Sequence, residues 1–320
     1  MINYGKQHID AADIKSVTKV LKGNWLTQGP NIKKFENLLK SKFKSKYCVA
    51  VSNGTAALHL TGLALGWKKG DIILTTTISF LATANSILYC RATPIFVDID
   101  QGSYNIDVDQ LEKKIKLLKK RSKNIVAIIA TDYAGNPCDW KKLKKISTKY
   151  KLSLINDNCH AIGASYQNEI GYAAKYADVV THSYHPVKNI TTGEGGAVLS
   201  NNREIINKIN ILKSHGVIKN LKSNFPWYYE MQYLGYNYRI SDIQCALGIS
   251  QLKKIKKFIK KRREIAEIYN KAFKFNPIFK LQKIEKNNKH AYHLYPLQIN
   301  FKLIKKTKKK MFFFFKKKKI

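Results

Sequence analysis

Lys188 is the residue whose position suggests the most chemistry. It follows the apolar run Val179–His182 and precedes the turn Thr191-Thr192-Gly193-Glu194-Gly195-Gly196. Enclosure of an amine beyond a strand end favours its free base, the nucleophile that forms a Schiff base with a carbonyl. The bland alternative is a surface lysine beside a β-turn, and with 58 Lys and Arg it weighs against any single one. Asp157 closes another apolar run, within Asn156-Asp157-Asn158-Cys159-His160-Ala161. A carboxylate there is costly unless it meets a cation or several donors. A protonated pyridine nitrogen is such a cation, and a carboxylate facing it keeps the ring an electron sink. Equally, Asp157 could cap the turn while His160 packs as a satisfied core histidine.

Two further clusters fall where strands give way to helices. Ser52-Asn53-Gly54-Thr55-Ala56-Ala57-Leu58 is a small turn opening a helix. Its free N–H groups and positive dipole end suit a phosphate, to which Ser183 could also donate. An ordinary N-capped turn has the same composition. Leu234-Gly235-Tyr236-Asn237-Tyr238-Arg239-Ile240-Ser241-Asp242-Ile243 reads as an interface or binding loop, or simply as a helix start with Ser241 as N-cap.

The elements that must hold these residues alternate. Apolar runs predict strands at Tyr47–Val51, Asp71–Thr75, Thr93–Val97, Ile125–Ala130, Ser153–Asp157, Val179–His182 and Ala197–Ser200. Amphipathic patterns predict helices at Ala56–Leu65, Leu81–Tyr89, Asp109–Lys120 and Asp139–Tyr150, with Asp109 and Asp139 as N-caps. This α/β alternation predicts a largely parallel sheet covered on both faces, with ligands at the carboxyl ends of its strands. The glycines after Lys188 lead into a strand expected to reverse direction. The composition changes near Asn202, so residues 1–200 are expected to form a large domain and 201–320 connecting helices with a small α/β domain. There a long helix is predicted from Ser241 to about Phe273, and a β-like stretch at Ala291–Ile299. From Lys305 to Ile320 nearly everything is Lys or Phe, with the apolar residues clustered rather than at helical spacing.

Composition narrows the function classes. The 320 residues can bury a large core, and no run approaches the roughly 18 apolar residues of a membrane helix. The start, Met1-Ile2-Asn3-Tyr4-Gly5-Lys6, lacks the apolar segment of a secretory signal, so a cytoplasmic protein is expected. A formal net charge of +37 raises nucleic acid or anionic lipid as partner. The lysines, however, recur on helix-like stretches such as Leu111 to Lys123 and Leu252 to Arg263, as a solvated face does. Abundant Lys, Asn, Ile, Phe and Tyr fit a genome rich in A and T, so neither nucleic acid nor membrane is expected as partner. Five scattered cysteines with no CxxC pair indicate neither a zinc site nor a disulfide framework, and no metal is expected.

Taken together, Ser52-Asn53-Gly54-Thr55, Asp157 with His160, His185-Pro186-Val187-Lys188 with Glu194-Gly195-Gly196, and Gly235-Tyr236-Asn237-Tyr238-Arg239 carry a resemblance. Their order and spacing resemble the DegT/StrS family of sugar aminotransferases. Thr27-Gln28-Gly29-Pro30 and Thr77-Ile78-Ser79-Phe80 extend the likeness. It implies the type I, aspartate-aminotransferase-like fold of PLP-dependent transferases: a mostly parallel seven-stranded sheet with helices on both faces and a small α/β C-terminal domain. It implies pyridoxal 5′-phosphate as cofactor, with Lys188 as the covalent attachment and proton shuttle, Asp157 on the ring nitrogen and His160 near the ring hydroxyl. Phe80 is implied to stack on the ring, and Gly54, Thr55, Ala56 and Ser183 to bind the cofactor at its phosphate. Asn237 would reach that phosphate from a neighbouring subunit, making a homodimer with shared sites. Tyr4, Thr27, His185 and Arg239 are the implied substrate-binding residues.

Asn158-Cys159-His160-Ala161-Ile162-Gly163-Ala164 and His182-Ser183-Tyr184-His185-Pro186-Val187-Lys188 are similar to the members that serve pseudaminic acid synthesis. The reaction so implied moves an amino group, from glutamate by family analogy, to the C4 keto group of a UDP-linked 4-keto-6-deoxy-N-acetylhexosamine. Another dTDP-, GDP- or UDP-linked keto sugar of O-antigen synthesis is an alternative. A pyridoxamine-dependent sugar dehydratase is another, but those relatives carry His in place of the lysine. Family members also continue through a His-Tyr-x-Pro segment that contributes to the substrate pocket. The resemblance therefore implies a chain cut short in its small domain, and an inactive truncated relative stays open.

Overall fold

The computed structural model describes residues 5–219 and 225–318. Strands β1 (Tyr47–Val51), β2 (Ile72–Thr76), β3 (Thr93–Val97), β4 (Ile125–Thr131), β5 (Ser153–Asp157), β6 (Val179–Ser183) and β7 (Gly196–Ser200) form one sheet in the order β1-β7-β6-β5-β4-β2-β3. Only β7 runs antiparallel to its neighbours β1 and β6; the other pairings are parallel. Period-two alternation splits each inner strand between two cores. Cys48, Ala50, Leu74 and Leu154 face one side, and Val49, Val51, Ile73 and Ile155 the other.

Helices cover both faces. The first helix, α1 (Ala11–Leu21), lies outside both cores; on the first face lie α2 (Pro30–Phe43), then, after α3 (Gly54–Ala64) and α4 (Ala82–Tyr89) on the opposite face, α5 (Val108–Lys120), α6 (Trp140–Tyr150) and the short α7 (Tyr172–Tyr176). Phe35, Leu39, Leu111, Ile115, Trp140 and Leu143 fill that first core. On the second face Ala57 and Leu60 of α3 and Ile87 of α4 meet Ile206, Ile209 and Leu212 of α8 (Arg203–Leu212). A small antiparallel pair, β8 (Val217–Lys219) and β9 (Tyr229–Met231), precedes the long α9 (Asp242–Phe273), which packs on α1 and α2. Ser241 caps α9 in a capping box, its Oγ accepting from Gln244 N–H at 3.2 Å while its own N–H donates to Gln244 Oε1 at 2.9 Å.

Two expectations need correction, and the tail settles a point left open. Asp107, not Asp109, caps α5; its carboxylate accepts from the N–H groups of Asp109 and Gln110, which leaves Asp109 in the first turn where its charge favours the dipole. Of the stretch Ala291–Ile299, only β11 (Leu297–Ile299) is a strand, paired with β10 (Phe279–Leu281). Ala291 and Leu294 spend their N–H groups on Gly135 and Ala134 instead. The Lys/Phe tail forms a helix, α10 (Lys308–Lys317), capped by Thr307. Phe312 to Phe315 point all round it and stay exposed, because four consecutive residues cannot share one helix face.

Candidate active site

The carboxyl ends of the central strands come together by register. Thr131 of β4, Asp157 of β5 and Thr181 of β6 lie abreast. Gly196, at the start of β7, pairs with both Ser183 and Val51, so the reversed strand brings the turn into α3 beside the end of β6. A cavity of about 590 Å³ opens there. Gly54, Thr55, Phe80, Asp157, His160, Ser183, His185 and Lys188 all line it, together with Thr83, Tyr133, Glu194 and His293. That volume is within the range that holds a cofactor-sized ligand.

Asp157 is buried and held from two sides. Thr83 Oγ1, from α4, donates to its Oδ2 at 2.7 Å, and Cys159 N–H donates to its Oδ1 at 3.3 Å. The same turn is pinned by Asp132, which follows β4. Its buried carboxylate accepts from Asn156 and Asn158 Nδ2, Tyr172 OH, Trp140 Nε1 and Cys138 N–H, at 2.7 to 3.1 Å. Burial raises the Asp132 pKa against those donors. His160 accepts from Ala134 N–H at Nδ1, 3.3 Å away, which places the neutral ring's proton on Nε2. Burial pushes its pKa down to about 4, the Lys188 charge adds to that, and Asp157 opposes it. Burial of its sulfur and the nearby Asp157 raise the Cys159 thiol well above its ordinary range, which disfavours the thiolate.

The start of α3 lines the cavity and has the free N–H groups that suit a phosphate. Asn53 caps it, its side chain accepting from Ala56 N–H at 2.8 Å. Ala56 is thus buried with its N–H committed, whereas Gly54 and Thr55 have no carbonyl partner in helix register. A Cβ at Gly54 would come 2.8 Å from Ser183 Cβ, so the serine lies directly against the helix start. Lys188 sits in a loop closed like a hairpin: Tyr184 N–H donates to Gly195 O at 2.8 Å, and Thr192 N–H returns to Tyr184 O at 3.0 Å. Exposed Phe80 stands at the rim, and His185 Nε2 is 4.0 Å from the Glu194 carboxylate. An amine, a buried carboxylate, an aromatic face and an anion cradle around one cavity fit pyridoxal phosphate.

Other sequence candidates lie elsewhere. Thr27 bridges to Ser241, and Asn237, between the stacked Tyr236 and Tyr238, bridges to Ser214. Arg239 lines a separate cavity of about 410 Å³ with Lys33, Lys40 and Lys213. Tyr4 is outside the described residues. Sequence reasoning missed Thr83, Asp132 and His293. Asp132 shows the one usable signal, an acidic residue ending an apolar run as Asp157 does. Among the described residues no group of three or more His, Cys, Asp and Glu could hold a metal, and no helix is long and apolar enough to cross a membrane.

Comparison with known proteins points the same way. Residues 7–320 match the model of the DegT/DnrJ/EryC1/StrS aminotransferase family. A UDP-4-amino-4,6-dideoxy-N-acetyl-β-L-altrosamine transaminase of Campylobacter jejuni is 44% identical over 297 residues, 93% of this chain and 76% of the relative. The structure of Helicobacter pylori PseC, an aminotransferase involved in the biosynthesis of pseudoaminic acid, has 35% identity and a TM-score of 0.85, covering 95% of this chain and 79% of that one. A Streptococcus pneumoniae sugar-aminotransferase-type protein solved in its PLP form has 25% identity and a TM-score of 0.84, over 93% and 78% of the two chains.

Proposed function

Because the chain belongs to the DegT/DnrJ/EryC1/StrS aminotransferase family, and is a PLP-dependent sugar aminotransferase, we propose that Lys188 bears the cofactor and that the acceptor is the C4 keto group of a UDP-linked 4-keto-6-deoxy-N-acetylhexosamine. The observation that carries this reading is the convergence of Lys188, Asp157 and the α3 start on one cavity. The product would serve surface-glycan synthesis, pseudaminic acid or a related sugar, the biosynthesis in which Helicobacter pylori PseC is involved being that of pseudoaminic acid.

When bound, pyridoxal phosphate supplies an electron sink for a carbanion. The chain's own residues do the rest. Lys188 Nζ would attach the cofactor and, once released from it, would shuttle a proton between the cofactor and the sugar's C4. Asp157, fixed by Thr83, keeps the ring nitrogen protonated. His160, neutral with its proton on Nε2, donates to the ring hydroxyl edge. Gly54, Thr55 and Ser183 hold the phosphate, and Phe80 covers the ring. His185 and Glu194, at the mouth, meet the substrate. Glutamate is the donor in this reading. A second copy of the chain supplies Asn237 to the phosphate, with Arg239 and Thr27 beside it, which accounts for their lying off the cavity in one protomer. The enzyme works in the cytoplasm.

The test is to load the protein with pyridoxal phosphate, record its visible band, and add glutamate with a panel of nucleotide-linked keto sugars under mass spectrometry. We expect the band to shift with glutamate and a UDP-linked 4-amino sugar to form. Lys188→Ala abolishes covalent attachment. A chain that takes up no cofactor, or that aminates only dTDP- or GDP-linked sugars, would overturn the cofactor or the substrate assignment respectively.

A further inference from the structure

Lys188 has a polar neighbour that the cofactor anchors do not account for. His293 lies 105 residues further along the chain, yet its Nε2 is 3.5 Å from Lys188 Nζ. Its ring sits 4.5 Å from that of His160, centroid to centroid, tilted by 41°.

The segment that carries His293 is clamped on both sides. Ala291 N–H donates to Gly135 O at 2.9 Å and Leu294 N–H to Ala134 O at 3.2 Å. From α9, Arg262 Nη1 donates to the carbonyls of Tyr292 and His293 at 2.9 and 3.3 Å. Tyr292 holds φ = 47° and Ala134 φ = 60°, a left-handed backbone that neither residue type adopts readily. Gly135, at φ = 104°, leaves no room for a Cβ, which would come 2.9 Å from His160 O and 3.0 Å from Tyr292 N. One turn therefore holds both histidines, since Ala134 also donates to His160 Nδ1. Strained backbone persists where its surroundings over-determine it, and here the result is an imidazole aimed at one amine.

We propose that His293 is a positioning residue for Lys188, a neutral acceptor that fixes the amine's orientation toward the cavity. The inference rests on Lys188 being the cofactor lysine. Burial holds the His293 pKa down to about 2, with His160, Lys188 and Arg262 pushing the same way and the Val187 backbone opposing them. A neutral Nε2 offers a lone pair to a Lys188 N–H, whereas an imidazolium has none to offer. With one N–H so engaged, rotation about the terminal bond of the side chain is restricted and the nitrogen's reactive side is kept on the cavity.

The experiment reads covalent capture rather than turnover. The full chain is stripped of cofactor and mixed with pyridoxal phosphate. Growth of the visible band gives the rate, and borohydride reduction with peptide mass spectrometry locates the bond. His293→Phe keeps a ring against His160 without the acceptor, His293→Leu is a second acceptor-free variant, and His293→Gln restores an acceptor. We expect His293→Phe to reach the wild-type extent of labelling and the wild-type melting temperature but at a rate lower by about tenfold, the worth of one hydrogen bond. His293→Gln should recover most of that rate. Wild-type capture by His293→Phe, or capture by His293→Gln as slow as by His293→Phe, would overturn the proposal. So would unfolding of both acceptor-free variants with His293→Gln intact, which would assign the ring to packing. Labelling of a lysine other than Lys188 in the wild-type chain sinks the cofactor reading itself, and this inference with it.

Discussion

Acid should unfold this protein through its buried histidines, and His182 isolates the effect. It lies on β6, packed edge-on against Phe43 at 4.9 Å, with Nδ1 3.1 Å from Tyr184 OH, and does not line the cavity. Burial holds its pKa down to about 3, against an ordinary 6.5. His290 is held to about 3 by burial and Arg263, alongside His160 at about 4 and His293 at about 2. A histidine depressed in the folded state stabilises fully above the unfolded value, and that contribution is lost as pH falls from about 6.5 toward the folded value. At pH 5 the unfolded imidazole is about 1.5 units below its midpoint while folded His182 is still neutral, so each such site has lost roughly 2 kcal/mol relative to pH 8. Four sites lose roughly 8 kcal/mol, comparable with a typical total stability of about 5–15 kcal/mol. Urea unfolding at pH 8 and pH 5 measures this. His182→Asn, which keeps a polar group toward Tyr184, should be less stable at pH 8 from lost packing, yet its drop between the two pH values should be smaller by roughly 2 kcal/mol. A drop equal to that of the wild-type chain would refute a neutral, buried His182.

Two substitutions probe the cofactor anchors separately. Thr83→Val removes a donor to the Asp157 carboxylate, about 1.5–3 kcal/mol for a bond to a charged group, and should weaken pyridoxal phosphate binding about tenfold to a hundredfold; an unchanged titration would mean Thr83 does not hold Asp157 in place. Gly54→Ala forces Ser183 away from the start of α3 and should weaken pyridoxal phosphate while leaving phosphate-free pyridoxal unaffected, as competition binding would reveal; equal losses for the two ligands would remove the phosphate from that cradle.

The sheet was legible because its strands are short apolar runs, all but the edge strand β3 largely buried. Tyr47–Val51, Thr93–Val97 and Ser153–Asp157 have the bounds their composition predicts; β4, β6 and β7 differ by a residue at one end, and β2 by a residue at each. The α5 cap was misplaced because Asp107-Val108-Asp109 offers two capping carboxylates one residue apart from a helix-compatible valine. Motifs after strand ends were legible for the same local reason. Lys188, Asp157 and Gly54 each sit next to a recognisable strand, and parallel register does the assembling. Thr83 and His293 were not legible, since neither carries a local pattern. Their roles arise from contacts with Asp157 and Lys188 across 74 and 105 residues of sequence. The run 291–299 alternates well enough to suggest a strand, but Arg262 and the 133–135 turn compete for its backbone groups and win over residues 291–294.

That competition explains how the two halves of the site are tied together. The Asp157 side depends on Asp132, whose five donors hold the turn after β5 to the end of β4. The lysine side depends on the 133–135 turn, which begins one residue later and grips both His160 and the His293 segment. A change at Asp132 therefore cannot stay confined to Asp157. Leaving buried donors unmatched costs about 1–3 kcal/mol each, and relief by moving the 132–135 backbone would shift His293 relative to Lys188. The carboxylate and the amine that line the cavity share one support, and neither of their own motifs contains it.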